Sequence, residues 1–201
     1  FGEDVATLSE ARRTELERRC GVLFQNGALF SSLTVAENVA VALTEHHDLD
    51  ADVVHRLSLL KIALAGLPLD SAERFPSQLS GGMVKRAALA RSLALDPEIL
   101  FLDEPTAGLD PIGAAAFDQL ILTLRDSLGL TVFLITHDLD TLYTICDRVA
   151  VLAKKRILVA DTLEVVENFD EPWIQDYFQG PRGRAARRAT ANPPLSPTAG
   201  L

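Results

Sequence analysis

Two stretches set the architecture of this chain: Gln78-Leu79-Ser80-Gly81-Gly82-Met83 and Ile99-Leu100-Phe101-Leu102-Asp103-Glu104-Pro105. In the first, Ser80 can cap a helix and the two glycines leave the backbone uncovered, so the pattern predicts a helix from about Met83 whose first N–H groups bind an anion. In the second, an unbroken apolar run ends in two acids, which is typical of a strand buried on both faces. Ligands of open α/β sheets bind at the carboxyl ends of such strands. The two stretches therefore predict an anion-binding helix start together with a strand that delivers Asp103 and Glu104.

Length and composition narrow the class of protein. A chain of 201 residues is about the size of one domain, and a hydrophobic content of 48% is enough for a substantial core. The net charge of −9 argues against a nucleic-acid backbone as the main partner. No apolar run approaches the roughly 18 to 20 residues that cross a bilayer, so a membrane role would come through a partner. Cys20 and Cys146 form no CxxC pair, which favours free thiols in a reducing compartment.

Caps and apolar periodicity predict the secondary structure in order. The helix from Met83 packs through small positions, and its Lys85, Arg86 and Arg91 suit either a solvated face or an added electrostatic role behind the anion-binding helix start. Beyond Gly180 the composition turns to Arg, Ala, Pro and Thr, which predicts a disordered tail over 181–201. The arginines of that tail suit either contact with anionic lipid head groups or a plain solubilising role. Helices are expected at 10–19, 34–43, from 52 to Gly66, 83–95, 113–128, 138–146, after Thr162 and at 171–178, and strands at 21–24, 99–103, 131–135, 148–153 and 156–161.

Five motifs in a fixed order give the chain a family resemblance. The two opening stretches resemble the signature and Walker B motifs of ABC-family ATPases, and Gln25 after a short apolar strand resembles the Q-loop glutamine. Ala107-Gly108-Leu109-Asp110 resembles the D-loop, and His137 after an apolar strand resembles the switch histidine. The resemblance implies an α/β, P-loop NTPase-like ABC ATPase core, with a helical subdomain over about residues 40–95 that carries the signature.

The same resemblance implies the chemistry and its residues. ATP hydrolysis needs a metal beside the β- and γ-phosphate oxygens, a group that orients water, and donors for developing charge. By resemblance Asp103 helps to hold Mg²⁺, Glu104 orients and polarises the attacking water, Gln25 approaches the metal and the water, and His137 bonds the γ-phosphate. Leu79, Ser80, Gly81, Gly82 and Asp110 would serve the nucleotide of a second copy, because the family sandwiches two nucleotides between two subunits. ATP, Mg²⁺ and dimerisation are therefore expected.

One expected motif is missing from the sequence. The glycine-rich phosphate loop, G-x-x-x-x-G-K-[ST], occurs nowhere in these residues, and the only methionine is Met83. The family places that loop upstream of the Q-loop, so we expect an N-terminally truncated ABC ATPase domain over 1–180 that lacks its first strand and phosphate loop. Such a chain would be inactive alone and would bind ATP poorly. A protein that truly lacks the loop is the alternative.

The branch of the family follows from finer resemblances. The run Val22–Val35, the signature variant with Met83, Asp110-Pro111-Ile112-Gly113 and the closing Glu171-Pro172-Trp173 are similar to ATPase subunits of Mla/MCE-type phospholipid transporters. This implies an integral-membrane permease as partner, an MCE-type substrate-binding protein reached indirectly, and a place on the cytoplasmic face of a bacterial inner membrane. The apolar Leu29-Phe30 suits docking of the permease and suits local core packing equally well.

Three other functions share part of this pattern. A different ABC importer ATPase would share every catalytic residue, and a non-hydrolysing fragment would account for the missing loop. A DNA-repair ABC ATPase would carry a long coiled coil and a basic face, and the sequence has neither.

Overall fold

The computed structural model describes residues 1–191 and divides into two compact units, Phe1–Ile135 and Thr136–Leu201. The first unit holds a three-stranded parallel sheet with strand order β1-β2-β3. The second holds an antiparallel pair, β4-β5, whose turn passes through Lys154 and Lys155 with positive φ values of 52° and 61°. Such a turn matches the right-handed twist of the strands that it joins.

The element bounds follow the predicted order closely. The strands are β1 Cys20–Leu23, β2 Ile99–Asp103, β3 Thr131–Ile135, β4 Arg148–Ala153 and β5 Arg156–Thr162. The helices are α1 Glu10–Arg18, α2 Val35–His46, α3 Ala51–Leu64, α4 Gly81–Ser92, α5 Pro111–Leu128, α6 Leu139–Ile145, α7 Leu163–Glu167, α8 Pro172–Gln179 and α9 Pro181–Ala191.

Side-chain caps fix the starts of several helices. Ser9 accepts a hydrogen bond from Arg12 N at the start of α1, and Thr34 and Glu37 form the predicted capping box at the start of α2. Asp110 caps α5 and lets it begin at Pro111, two residues before the predicted Gly113. At the other end of α5, Gly129 stops the helix in the left-handed conformation with φ 67°.

The helices α2, α3 and α4 pack against one another and form a three-helix layer within the first unit. Val39 and Leu43 of α2, Ile62 of α3 and Leu89 of α4 are buried. The layer begins at Val35 and ends at Ser92, which agrees with a helical insertion over about residues 40–95. That this layer forms a separate subdomain stays a prediction.

The sheet of the first unit corrects one prediction. Leu23, Leu100 and Leu102 are at most 1% exposed, so one face of the sheet is covered. The residues between them face the other way: Val22, Phe101 and Phe133 lie side by side in register and are 40%, 37% and 54% exposed. The prediction of strands buried on both faces is therefore wrong for these residues, because no element of residues 1–135 covers that side. We call the Val22, Phe101 and Phe133 side the outer face.

The second unit has a core of its own, and it corrects the tail prediction. Val149 and Val151 of β4 pack with Val166 of α7 and with Ile174 and Phe178 of α8. The composition predicts disorder from residue 181, yet the chain continues as α9, which packs on α6 and α8. The rest of the predicted tail, 192–201, lies outside the described residues. No helix within 1–191 is long and apolar enough to cross a bilayer.

Candidate nucleotide-binding site

The signature stretch forms the start of α4 as the sequence predicts, two residues earlier than expected. Ser80 is the N-cap and its Oγ accepts a hydrogen bond from Met83 N at 3.3 Å. A Cβ added at Gly81 would meet nothing within 4 Å, and one at Gly82 would meet only Leu109 Cδ2 at 3.7 Å. The packing of residues 1–191 therefore leaves room for side chains at both glycines. Bare backbone at this helix start leaves space for close approach of an anion.

Leu79 links this helix start to the preceding 3-10 turn, Pro76–Gln78, and is half-buried. It thereby orients the chain as it enters α4.

Asp103 and Glu104 lie at the carboxyl end of the central strand, as predicted. Glu104 has a left-handed backbone, with φ 45°, which is strained for a residue with a side chain. Three hydrogen bonds hold it there: Glu104 N donates to Ile135 O at 2.9 Å, and Glu104 O accepts from Ala107 N at 3.2 Å and from Lys85 Nζ at 2.8 Å. The backbone that aims this carboxylate is therefore fixed from both sides.

Gln25 comes directly after β1 and is exposed. Because β1 and β2 are parallel neighbours in register, Gln25 and Asp103 lie at the same edge of the sheet. The turn after Gln25 runs through two left-handed residues, Gly27 with φ 75° and Ala28 with φ 48°. A Cβ at Gly27 would lie 3.2 Å from Val84 Cγ1 of α4, so a side chain there would require that neighbour to shift. The Gln25 loop is therefore packed directly against the signature helix.

The three basic residues of α4 do not form the plain solvated face that was one of the two alternatives. Lys85 is only 6% exposed, and its ammonium donates to Gln25 O at 2.6 Å and to Glu104 O at 2.8 Å. Arg91 donates to Ala28 O at 2.6 Å and to Gly27 O at 2.9 Å, and Arg86 donates to Ala65 O at 3.1 Å. All three donate to main-chain carbonyls, because the loops around α4 contain acceptors that no regular secondary structure satisfies.

Burial lowers the pKa of the Lys85 ammonium, and the charges of Glu104 and Asp103 oppose that shift. Lys85 is thus a buried cation beside the two acids of the proposed site. Sequence reasoning missed it because its acceptors are backbone atoms.

Asn38 is a second residue that the sequence analysis missed. It is fully buried in α2, its Oδ1 accepts from Phe30 N at 2.8 Å, and its Nδ2 donates to Phe30 O, Leu33 O and Thr34 O. The Phe30 backbone is held in this way while its side chain is 51% exposed. Leu29 is half-buried, so Leu29 fits the core interpretation and Phe30 fits the docking interpretation.

Asp110 has a structural task. Its Oδ1 accepts from Ile112 N at 3.1 Å and from Gly113 N at 2.9 Å, which caps α5. Ile112, two residues on, is 83% exposed. The predicted place of Asp110 at an interface between two copies stays a prediction.

His137 lies in the second unit, whereas the other predicted site residues lie in the first. Its carbonyl accepts from the hydroxyl of Tyr177 at 2.6 Å, and Asp138 after it caps α6. The γ-phosphate role of His137 stays a prediction.

The residues at the sheet edge fit a magnesium ion in part. Within residues 1–191 no three His, Cys, Asp or Glu side chains come together as a metal-binding group. Mg²⁺ in phosphoryl-transfer sites takes one or two carboxylates plus substrate phosphates, and it prefers oxygen ligands. Asp103 and Gln25 supply that kind of ligand, and the ion would need the nucleotide to complete its shell.

Similarity to known proteins identifies the family of this chain. The family model described as ABC transporter matches residues 2–107, which is more than half of the chain. The chain belongs to the ABC transporter family. Solved structures agree with this assignment: the ATP-binding cassette MJ0796, in a dimeric post-hydrolysis state bound to ADP and Pi, is 30% identical with a TM-score of 0.70 over 78% of this chain and 68% of its own. CbiO1 from Clostridium perfringens is 28% identical with a TM-score of 0.71 over 90% of this chain and 70% of its own. The expected ABC ATPase fold is confirmed.

Curated relatives of this ABC family member point to two kinds of transport system. The intermembrane phospholipid transport ATP-binding protein MlaF of Escherichia coli is 36% identical over 89% of this chain and 66% of its own length. The probable ribonucleotide transport ATP-binding protein mkl of Mycobacterium tuberculosis is 37% identical over 90% of this chain and 50% of its own length. The chain thus spans between half and two thirds of these relatives. The resemblance to phospholipid-transport ATPases is confirmed.

Proposed function

We propose that the complete protein is the ATP-hydrolysing subunit of an ABC transporter that moves phospholipid between the inner and outer membranes. One observation carries this proposal. Gln25 and Glu104 lie at one edge of the sheet, and Lys85 donates a hydrogen bond to the main-chain carbonyl of each. A loop that senses the nucleotide and a carboxylate that orients water need a fixed relation to each other for in-line attack.

The proposed roles follow from the placement of each group. Glu104 orients the attacking water from its left-handed turn, and Gln25 approaches the same water from the adjacent strand end. Asp103 would hold the metal ion, with Gln25 as a second oxygen ligand. When bound, Mg²⁺ neutralises charge on the β- and γ-phosphate oxygens. His137 would bond the γ-phosphate.

A second copy completes the site in this proposal. The start of α4, with Ser80, Gly81 and Gly82, offers bare N–H groups to the phosphates that the other copy holds. Leu79 and Asp110 position that surface, and the 83% exposure of Ile112 beside Asp110 supports a contact between copies. The dimeric state of MJ0796 supports the same arrangement.

The phosphate loop is proposed to lie in a segment outside the 201 residues. The exposed outer face of the sheet, formed by Val22, Phe101 and Phe133, supports this, because an apolar sheet face is stable when another layer covers it. Accordingly the chain as it stands should bind ATP poorly. A version that includes the upstream coding sequence should bind ATP. Tight binding by the 201-residue chain would contradict this part.

The partner is proposed to be an integral-membrane permease, reached through the exposed Phe30, with an MCE-type protein further along the lipid route. The ATPase would then lie on the cytoplasmic face of the inner membrane. Two relatives of almost equal identity carry different cargo names, phospholipid for MlaF and ribonucleotide for mkl. The similarity of the Val22–Val35 run and of Glu171-Pro172-Trp173 to phospholipid-transport ATPases favours phospholipid.

The test is a pair of variants in the complete protein assembled with its permease. Glu104→Gln should keep ATP binding and lower turnover by about 10²- to 10⁴-fold, because the water loses its general base. Glu73→Gln, an exposed acid of the same type, should leave turnover near normal. Near-normal turnover in Glu104→Gln would remove Glu104 from this role, and absence of turnover in the wild-type complex would favour a non-hydrolysing protein.

Cargo is tested in the same complex reconstituted in vesicles. Phospholipid should stimulate ATP turnover and a labelled phospholipid should move between vesicles in an ATP-dependent way. Stimulation by ribonucleotides without lipid movement would overturn the phospholipid assignment and would favour another ABC transporter.

A further inference from the structure

We infer that Lys85 is a positioning residue whose buried ammonium locks the Glu104 turn to the Gln25 loop through the signature helix. The geometry is direct: one Nζ atom lies 2.6 Å from Gln25 O and 2.8 Å from Glu104 O. These two carbonyls belong to chain segments far apart in sequence. A single cation from a third segment therefore sets the separation between them.

The strain at Glu104 explains why such a lock is needed. A left-handed non-glycine residue persists only where surrounding contacts hold it there. Ala107 N and Lys85 Nζ both donate to Glu104 O, and the Lys85 bond is the one that carries a charge. Without it, the turn can relax and the Glu104 carboxylate loses its fixed aim.

Arg91, on the same helix, supports the inference that α4 holds these loops in place. It bonds the two left-handed residues Gly27 and Ala28, as Lys85 bonds the left-handed Glu104. Side chains of α4 thus bond three carbonyls of the Gln25 loop and one of the Glu104 turn. Any movement of α4 relative to the sheet is transmitted to both segments together.

The first test uses the 201-residue chain and does not depend on catalysis. Lys85→Met keeps an apolar stem of similar length and removes the donor. Hydrogen exchange of the Glu104 and Ala107 amides should become about 10- to 100-fold faster, because a charge-assisted hydrogen bond that closes this turn is lost. Amides of α5 serve as the reference for global opening.

Two further variants sharpen this test. Arg86→Met removes a bond from a cation of the same helix to the unrelated Ala65 O, so the Glu104 and Ala107 amides should keep wild-type exchange within about threefold. Lys85→Arg should restore most of the protection, since its guanidinium can donate to two carbonyls. Unchanged exchange in a folded Lys85→Met protein, or equal acceleration in Arg86→Met, would overturn the inference.

A measurement on the wild-type chain covers the case in which Lys85→Met does not fold. Lysine-selective ¹⁵N NMR should show a slowly exchanging ammonium for Lys85, assigned by its loss in Lys85→Arg. Lys154 and Lys155 are exposed and provide the fast-exchanging comparison. An ammonium of Lys85 that exchanges as fast as theirs would show that it does not hold the two carbonyls.

The consequence for turnover rests on the proposed function and is tested in the complete protein. Lys85→Met should lower kcat at least about tenfold and leave KM for ATP within about twofold, because the change affects aim and not nucleotide contacts. Arg86→Met should leave both values near wild type. A fall in ATP affinity with unchanged kcat would contradict a positioning role. A wild-type protein without turnover would defeat the proposed function, and hydrogen exchange would still decide the role of Lys85.

Discussion

Two threonine substitutions on opposite faces of the sheet test its unusual burial. Leu100→Thr places a hydroxyl on the covered face, where the side chain has no exposed surface. Phe133→Thr places the same side chain on the outer face, where 54% of the residue is exposed. Both changes introduce a residue that favours strands, so the comparison isolates burial.

The structure gives distinct magnitudes for the two changes. Leu100→Thr should lower the free energy of unfolding by about 3–8 kcal/mol, because removing buried methyl groups costs about 2–5 kcal/mol and an unpaired buried hydroxyl adds about 1–3 kcal/mol. Phe133→Thr should cost about 1–2 kcal/mol. Burying a whole phenylalanine side chain contributes about 1.5–3 kcal/mol, and about half of that is lost because half of the residue is already exposed. Part of the interaction energy with the Phe101 ring, whose centroid lies 5.7 Å away, is lost as well.

The assay is urea unfolding of the 201-residue chain followed by far-ultraviolet circular dichroism. We expect the two variants to differ by at least about 1 kcal/mol, with Phe133→Thr the milder change. Phe133→Thr should also lower the fluorescence of a dye that binds exposed apolar surface. Equal losses of stability would refute the reasoning, because they would place the Phe133 ring in a packed core.

Three further predictions follow from single residues. Asp110→Ala should lower the free energy of unfolding by about 0.5–2 kcal/mol through loss of the α5 cap, whereas Asp110→Asn should keep most of it, as urea titration would show; an equal loss in both would contradict a capping role. Asn38→Ala should cost more than about 2 kcal/mol because it strands several buried loop groups, and Asn26→Ala, at an exposed turn, should stay within about 0.5 kcal/mol. Burial raises the pKa of Tyr143 to about 12, and the negative charge of Glu167 adds to this shift. As pH rises above 10, the unfolded chain therefore loses the Tyr143 proton before the folded chain does. The free energy of unfolding should therefore fall as pH rises from 10 toward 12, and Tyr143→Phe should remove that part of the slope; an unchanged slope would contradict the assignment.

Local signals in the sequence carried most of the fold. The capping box of Thr34 and Glu37, the caps at Ser9 and Ser80, and the stop at Gly129 act within one helical turn, so residue type and spacing suffice to place them. The apolar strands were also found from their composition. Which face of a strand is covered depends on the elements that pack against it. A continuous apolar run does not show whether one face or both faces are covered. The two-faced burial of β2 was wrongly predicted for this reason.

The sequence leaves Lys85 and Arg91 between a solvated face and an electrostatic role, because the pattern of charges does not identify their partners. Their partners are the carbonyls of Gln25, Gly27, Ala28 and Glu104, and every residue type carries a carbonyl, so no pattern of side chains marks them. The residue types of Ala28 and Glu104 also do not predict a left-handed turn, because neither is a glycine. The left-handed backbone of Glu104 needs hydrogen-bond donors to hold it, and the buried Lys85 ammonium needs acceptors. These two groups come together only when the chain folds. The motifs of this family therefore indicate candidate reacting groups, while the buried cations that hold their backbone in place are visible only in the three-dimensional structure.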